Sequence, residues 1–279
     1  MAELIRGTTA GPAVPAVLTS RAKSVWVFKA ALRQLLFNGL PILAVLAVWE
    51  LIAATGMIHA ALFPSLQQIF STMVSLTQQG ILLQDVLGSL SRLLVSVIIG
   101  IALGTSIGLF MGTSRLVERA LSPLLSFGLA VPGIALIPLA ILWFGLTEKT
   151  IIAILALEVT LVVMLNTWGA VKTVEQRFIN AARTMGADGL QLFLRVLLPG
   201  SLPGLITGYR LGFSRAWRIL VAGEMLAGVA NGLGYRIYEA RQLLASDNVY
   251  AGIIVIGVFG LILERVFLRS LEAMPVARW

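Results

Sequence analysis

The 279-residue chain has no cysteine and a single histidine, His59. The first absence excludes thiol catalysis, disulfides and thiolate metal sites; the second excludes a His-rich metal site within one chain. Charged residues are also scarce, at 12%, about half of what a soluble domain carries. No G-x-x-x-x-G-K-[ST] run occurs, so the chain does not bind ATP through a P-loop. Neither H-E-x-x-H nor G-x-S-x-G is present. The serines near apolar segments have no histidine within sequence reach beyond His59, which falls in a loop expected outside the membrane. A membrane-embedded enzyme therefore finds no nucleophile or metal set. The N-terminus has no clean signal peptide, because Arg6, Arg21, Lys23, Lys29 and Arg33 spread through it and the apolar runs among them are short.

What remains is apolar. Mean hydropathy is +0.93, enough for several bilayer crossings of about 20 residues each. The candidate spans are Leu40–Met57, Leu93–Met111, Ser126–Leu146, Thr150–Asn166, Leu202–Leu226 and Val249–Val266. The expected fold is thus an all-α membrane protein of about six transmembrane helices. Pro132 and Pro138 interrupt the third candidate. They free backbone groups, and such backbone is tolerated where it lines a cavity or is buried in protein. The alternative is a plain kink.

Net charge is +8, which in a membrane protein reports cytoplasmic loops and not nucleic acid. Basic residues gather in the N-terminal tail, at Arg115 and Arg119, at Lys172, Arg177, Arg183 and Arg195, and at Arg265, Arg269 and Arg278. The alternate loops are assigned Arg92, Lys149, Arg236 and Arg241. The positive-inside rule then puts both termini in the cytoplasm. Residues 1–34 form a cytoplasmic tail, 35–271 the membrane domain with its core at about 85–271, and 272–279 a second tail. A cytoplasmic loop at about 167–200 follows the fourth span.

Two spans carry glycine at every fourth position: Gly100, Gly104, Gly108 and Gly112, then Gly200, Gly204, Gly208 and Gly212, with Ala216 following. Small residues at this spacing share a helix face and let backbones approach closely. The fifth span also holds Arg210, Arg215 and Arg218; Glu224 lies near its outer end, Glu158 is central in the fourth span, and Glu50 is in the first. At about 100° per residue, Arg215 falls on the glycine face, Arg218 to one side and Arg210 opposite. Arg210 fits a snorkelling position near the cytoplasmic side. Intramembrane charges are costly, so they are functional or paired. Two readings stay open: an anion path lined by Arg215 and Arg218, or pairing of those arginines with Glu158, Glu50 or backbone carbonyls.

The loop between the fourth and fifth spans reads "FINAARTMGADGLQLFLRVLLPGSLPG", Phe178–Gly204. A short helix at Phe178–Met185 would end at Gly186, and Asp188 would start the next one as an N-cap. Pro199 would close that second helix and Pro203 would open the fifth span. The residues alone leave open a docking helix for a partner or an interfacial amphipathic loop.

The segment resembles the signature loop of permease subunits of ATP-binding-cassette importers. That loop has Glu-Ala-Ala, three residues, Gly, nine residues, then Ile-x-Leu-Pro. This chain has Asn180-Ala181-Ala182, Gly186, Val196, Leu198 and Pro199 at those spacings. The departure is Asn180 in place of Glu, which keeps hydrogen bonding and loses charge. Other stretches extend the resemblance: "LFPSLQQIF", "LIPLAILWFGL", "LNTWGAVKTV", and "RAWRILVAGEML" followed by "GLGYRIYEA". The last pair is similar to the nitrate/sulfonate/taurine/bicarbonate branch. The resemblance implies a type I importer permease fold in a bacterial cytoplasmic membrane, with a coupling helix seated in a groove of an ATPase. Asn180, Ala181, Ala182, Arg183, Gly186, Ala187, Leu198 and Pro199 would form the coupling site. Arg215, Arg218, Glu158, Pro132 and Pro138 would border the path. Implied partners are a second permease copy, two cytoplasmic ATPase subunits that bind ATP and Mg, and an extracytoplasmic binding protein. This chain would carry no cofactor. The branch also includes permeases for aromatic acids and vitamin precursors. A secondary transporter or channel is a separate alternative, with Glu158 as its central carboxylate.

Overall fold

The computed structural model describes residues 39–59 and 61–272. The expected N-terminal tail and Arg278 lie outside them. The chain divides into two units, residues 1–58 and 59–279. In the first, α1 spans Gly39–Thr55 and is apolar, but shorter than the other candidate spans. At 1.5 Å per residue it is about 26 Å long, short of a hydrocarbon core about 30 Å thick.

The second unit contains α2 (Leu66–Gln78), α3 (Ile81–Thr113), α4 (Arg115–Ala130), α5 (Gly133–Phe144), α6 (Glu148–Thr173), α7 (Gln176–Thr184), α8 (Gly189–Leu192), α9 (Leu198–Ala227), α10 (Leu233–Gln242) and α11 (Ser246–Glu272). A π-helical turn at Phe193–Leu197 joins α8 to α9. Among the described residues, four helices are long and apolar enough to cross a membrane: Ile81–Thr113, Glu148–Thr173, Gly189–Ala227 and Ser246–Leu271. The α4–α5 pair makes a fifth crossing if counted as one bent span. Six crossings are therefore not confirmed: the described residues show four or five, with the shorter apolar α1 beside them.

Proline chemistry accounts for two of the differences. The third candidate span is not one helix: α4 and α5 meet at 100°. Pro132 has no N–H, and the residue before a proline is pushed out of the α region; Val131 sits at φ −82°, ψ 122°. Pro199, by contrast, does not end a helix. Leu198 N–H bonds Phe193 O, five residues back. This wide turn takes up the misfit around a residue with no N–H to give, and the helix runs on from Gly189 to Ala227. Pro203 lies inside α9 and does not open it.

The two glycine stripes explain the core. Helix α6 lies between α3 and α9, and its buried residues go all round it, as expected of a helix enclosed by protein. A Cβ placed on Gly100 would stand 2.4 Å from Val159 Cβ, and one on Gly104 2.7 Å from Thr160 O. On the other side, a Cβ on Gly204 would stand 2.3 Å from Ala170 Cβ, and one on Gly208 2.8 Å from Asn166 Cβ. Only glycine permits that approach. Val159 and Val163 are packed from both sides. Helix α11 joins through stacked Phe213 and Phe267 rings 4.2 Å apart. Val86, Leu233 and Val255 tie α3, α10 and α11 together at one end of the bundle. The α7–α8 segment sits at the other, about 39 Å away along α6.

Candidate functional site

The loop expected to form the coupling site starts as α6 ends at Thr173, later than the sequence implied. Helix α7 closes by a double turn: Ala187 N–H bonds Ala182 O at 2.9 Å and Gly186 N–H bonds Arg183 O at 2.9 Å. Gly186 has φ +83°, a left-handed value that glycine adopts without strain. Asp188 occupies the N-cap position of α8, but its side chain makes no cap hydrogen bond; its carbonyl accepts from Gln191 N–H instead. Of the motif residues, Ala182 is buried, while Asn180, Ala181, Arg183 and Gly186 are exposed and Ala187 is half-buried. Asn180 Oδ1 accepts from Gln176 Nε2 at 3.1 Å, one turn earlier on α7. Phe178 and Met185 expose 53% and 81% of their surfaces. A short helix presenting apolar side chains outward is shaped to be covered. Leu198 and Pro199 are not part of this knob; they form the first turn of α9.

Halfway along α6, Glu158 is fully buried. Arg215 Nε on α9 stands 2.6 Å from Glu158 Oε2. The carboxylate also abuts the amino end of α5, where a Cβ on Gly133 would lie 2.3 Å from Glu158 Oε1. The partial positive charge of that helix end favours an anion. Three elements thus converge on one carboxylate. Neither of its oxygens has a well-directed hydrogen bond, so the attraction is one of charge. The structure brings Arg215, Glu158 and the Pro132–Gly133 corner together. It does not bring in Pro138 or Arg218, which are exposed. Arg215 itself remains 32% exposed.

A second charged cluster, at the α10 end, was not recognised in the sequence. Arg92 and Arg236 were assigned to loops; both sit on helices. Arg92 is 1% exposed. Its Nη1 donates to Glu224 Oε1 at 2.8 Å and Asn231 O at 2.9 Å, and its Nη2 to Glu148 Oε1 at 2.7 Å. Glu224 also accepts from Ser89 Oγ at 2.8 Å and Gly234 N–H at 2.9 Å. Asp85 accepts from Gly232 N–H at 3.0 Å and Arg236 Nε at 2.8 Å. Burial opposes the charge on Arg236, but the Asp85 hydrogen bond and the Asp85 and Glu239 charges outweigh it, so its pKa is raised. The sequence held one signal: Asp85, Ser89 and Arg92 fall at i, i+4 and i+7, one face of a helix.

Four or five apolar helices, with a short exposed helix at one end, describe a protein embedded in a membrane. The fold matches the inward-facing MetNI methionine ABC transporter, with a TM-score of 0.61 at 21% identity over 71% of this chain and 97% of that one. Residues 96–270 match the family described as binding-protein-dependent transport system inner membrane component. The chain belongs to that family and is the permease subunit of an ABC importer. Similar proteins include the taurine transport system permease protein TauC of Escherichia coli, 34% identical over 81% of this chain and 84% of TauC. The putative aliphatic sulfonates transport permease protein SsuC of Bacillus subtilis is 34% identical over 82% of each chain. The bicarbonate transport system permease protein CmpB of Synechocystis is 27% identical over 80% of this chain and 83% of CmpB.

Proposed function

We propose that two copies of this permease form the translocation path for a small oxyanion in a bacterial cytoplasmic membrane. Each copy engages one ATPase subunit, which binds ATP and Mg and carries out hydrolysis. An extracytoplasmic binding protein delivers the solute to the α10 end. Both termini lie in the cytoplasm. Closure of the ATPase pair pushes α7, and the π turn joined to α9 passes that motion into the bundle. Arg215, held by Glu158, and Arg218 border the path, and the bent α4–α5 corner adjoins it.

The observation that carries this reading is α7 itself. It is a helix stopped by Gly186 with Phe178, Asn180, Ala181 and Met185 turned outward. The substrate class follows the taurine, sulfonate and bicarbonate relatives. All three solutes carry an oxyanion, which a guanidinium binds in bidentate fashion. Pull-down of the tagged permease in mild detergent, followed by an ATPase assay, tests the coupling. Co-purification of a P-loop ATPase with activity is expected. A permease that purifies alone and takes up solute in vesicles without ATP overturns the reading.

A further inference from the structure

Between the last turns of α3 and α6 and the α7–α8 segment lies a crevice of about 940 Å3. Leu109, Phe110, Leu190 and Phe193 form apolar walls, and Lys172 and Arg183 line it with charge. We propose that this crevice binds one anionic phospholipid of the surrounding bilayer. Its acyl chain lies against Phe110 and Leu190, and its phosphate meets Arg183 and Lys172.

Three observations favour this occupant. The first is position. Lys172 lies in the last turn of α6 and Arg183 in the last turn of α7, so both cations stand at helix ends past the apolar stretch of the spans, where basic side chains meet anionic headgroups. The second is the wall chemistry. Phe110 is 65% exposed and Leu190 70% exposed, and a chain of methylenes fits them without unpaired polar groups. The third is charge. Lys172 Nζ contacts Glu118 Oε2 at 2.6 Å yet stays 45% exposed. The Arg183 side chain has no ion pair or hydrogen bond among the described residues. The crevice therefore keeps an excess positive charge that a phosphate would neutralise. The chain's own first 34 residues have the wrong sign, with Arg6, Arg21, Lys23, Lys29 and Arg33 against Glu3. A bound lipid would join the ends of two spans to the coupling segment.

Native mass spectrometry of the full-length permease, given phosphatidylglycerol or phosphatidylcholine, tests the site without reference to solute or ATPase. One retained phosphatidylglycerol per chain is expected, falling about tenfold in the Lys172→Gln/Arg183→Gln variant, by analogy with other charge-assisted phosphate contacts. Equal retention of both lipids, or no change in the variant, overturns the proposal. A second measurement covers a variant that folds poorly. The fluorescence that Phe110→Trp adds over the parent, which has six tryptophans of its own, should be quenched more by brominated phosphatidylglycerol than by brominated phosphatidylcholine. Equal quenching counts against the site. Loss of the lipid on adding the ATPase subunit would make the crevice part of the docking surface and also overturn the proposal.

Discussion

The two ends of α6 and α9 use the same residue types to opposite effect. At the α10 end, Arg92 and Glu224 are buried and carry several hydrogen bonds, linking α3, α6, α9 and the turn before α10. At the α7 end, Arg115, Arg119, Arg183 and Arg195 are exposed, and the ion pairs there, such as Lys172 with Glu118, reach solvent. A buried charge network with its members paired fixes one arrangement. Exposed charges contribute little to stability and stay available to a partner. The difference teaches that one end is built to hold its geometry while the other leaves its charges open to solvent.

Breaking the rigid end should have the largest effect. Arg92→Leu leaves the Glu224 carboxylate buried without its cation, which costs about 3–5 kcal/mol. The expected outcome is a loss of folded permease, read as monodisperse protein on size exclusion. A variant as stable as the parent would show that the cluster does not fix the fold. Nearly as large is Gly104→Val, because the added carbon meets Thr160 O at 2.7 Å. Backbone cannot yield as a side-chain tip does, so α3 must separate from α6; thermal stability should fall sharply.

Arg215→Ala comes next and probes the middle, where neither extreme applies. It leaves Glu158 buried and unpaired. Uptake of an anionic solute is expected to fall more than the yield of assembled complex, whereas Arg215→Lys should keep the yield and recover only part of the uptake. Equal loss of yield and uptake in both variants would assign the pair to structure alone.

At the α7 end, Gly186→Trp should leave folding nearly intact, because a Cβ there meets open space. The left-handed φ of +83° costs a bulky residue about 1–2 kcal/mol. ATPase pulled down at normal yield and normal stimulated activity would count against the docking role. The smallest effect belongs to Asn180→Ala, which removes one exposed hydrogen bond within α7. A stability change of under about 1 kcal/mol is expected from chemical denaturation.

Parts of this molecule were legible in the sequence because they depend on local spacing. The glycine stripes were visible at every fourth residue and pack as expected. Gly186 was identified as a helix stop, and it has the positive φ that this role needs. Prolines were legible only as disturbances. Pro132 breaks a helix through 100° while Pro199 and Pro203 lie in one that continues. The outcome depends on whether neighbouring turns can widen, which residue identity does not reveal. Arg92 was misplaced because its charge outweighed its position; on hydropathy alone, a span was not expected to begin eleven residues before it, at Ile81.

The sequence by itself determined that the chain lies in a membrane, which helix faces pack closely, and where the exposed knob stops. Those properties arise from composition and from periods of three to four residues along one helix. Only the tertiary structure decided which charges meet. Arg92 lies 132 positions from Glu224, and Glu158 finds Arg215 on another helix. In a low-dielectric interior a charge is tolerable only beside its partner, and that partner is chosen by how helices stack, which no local pattern encodes.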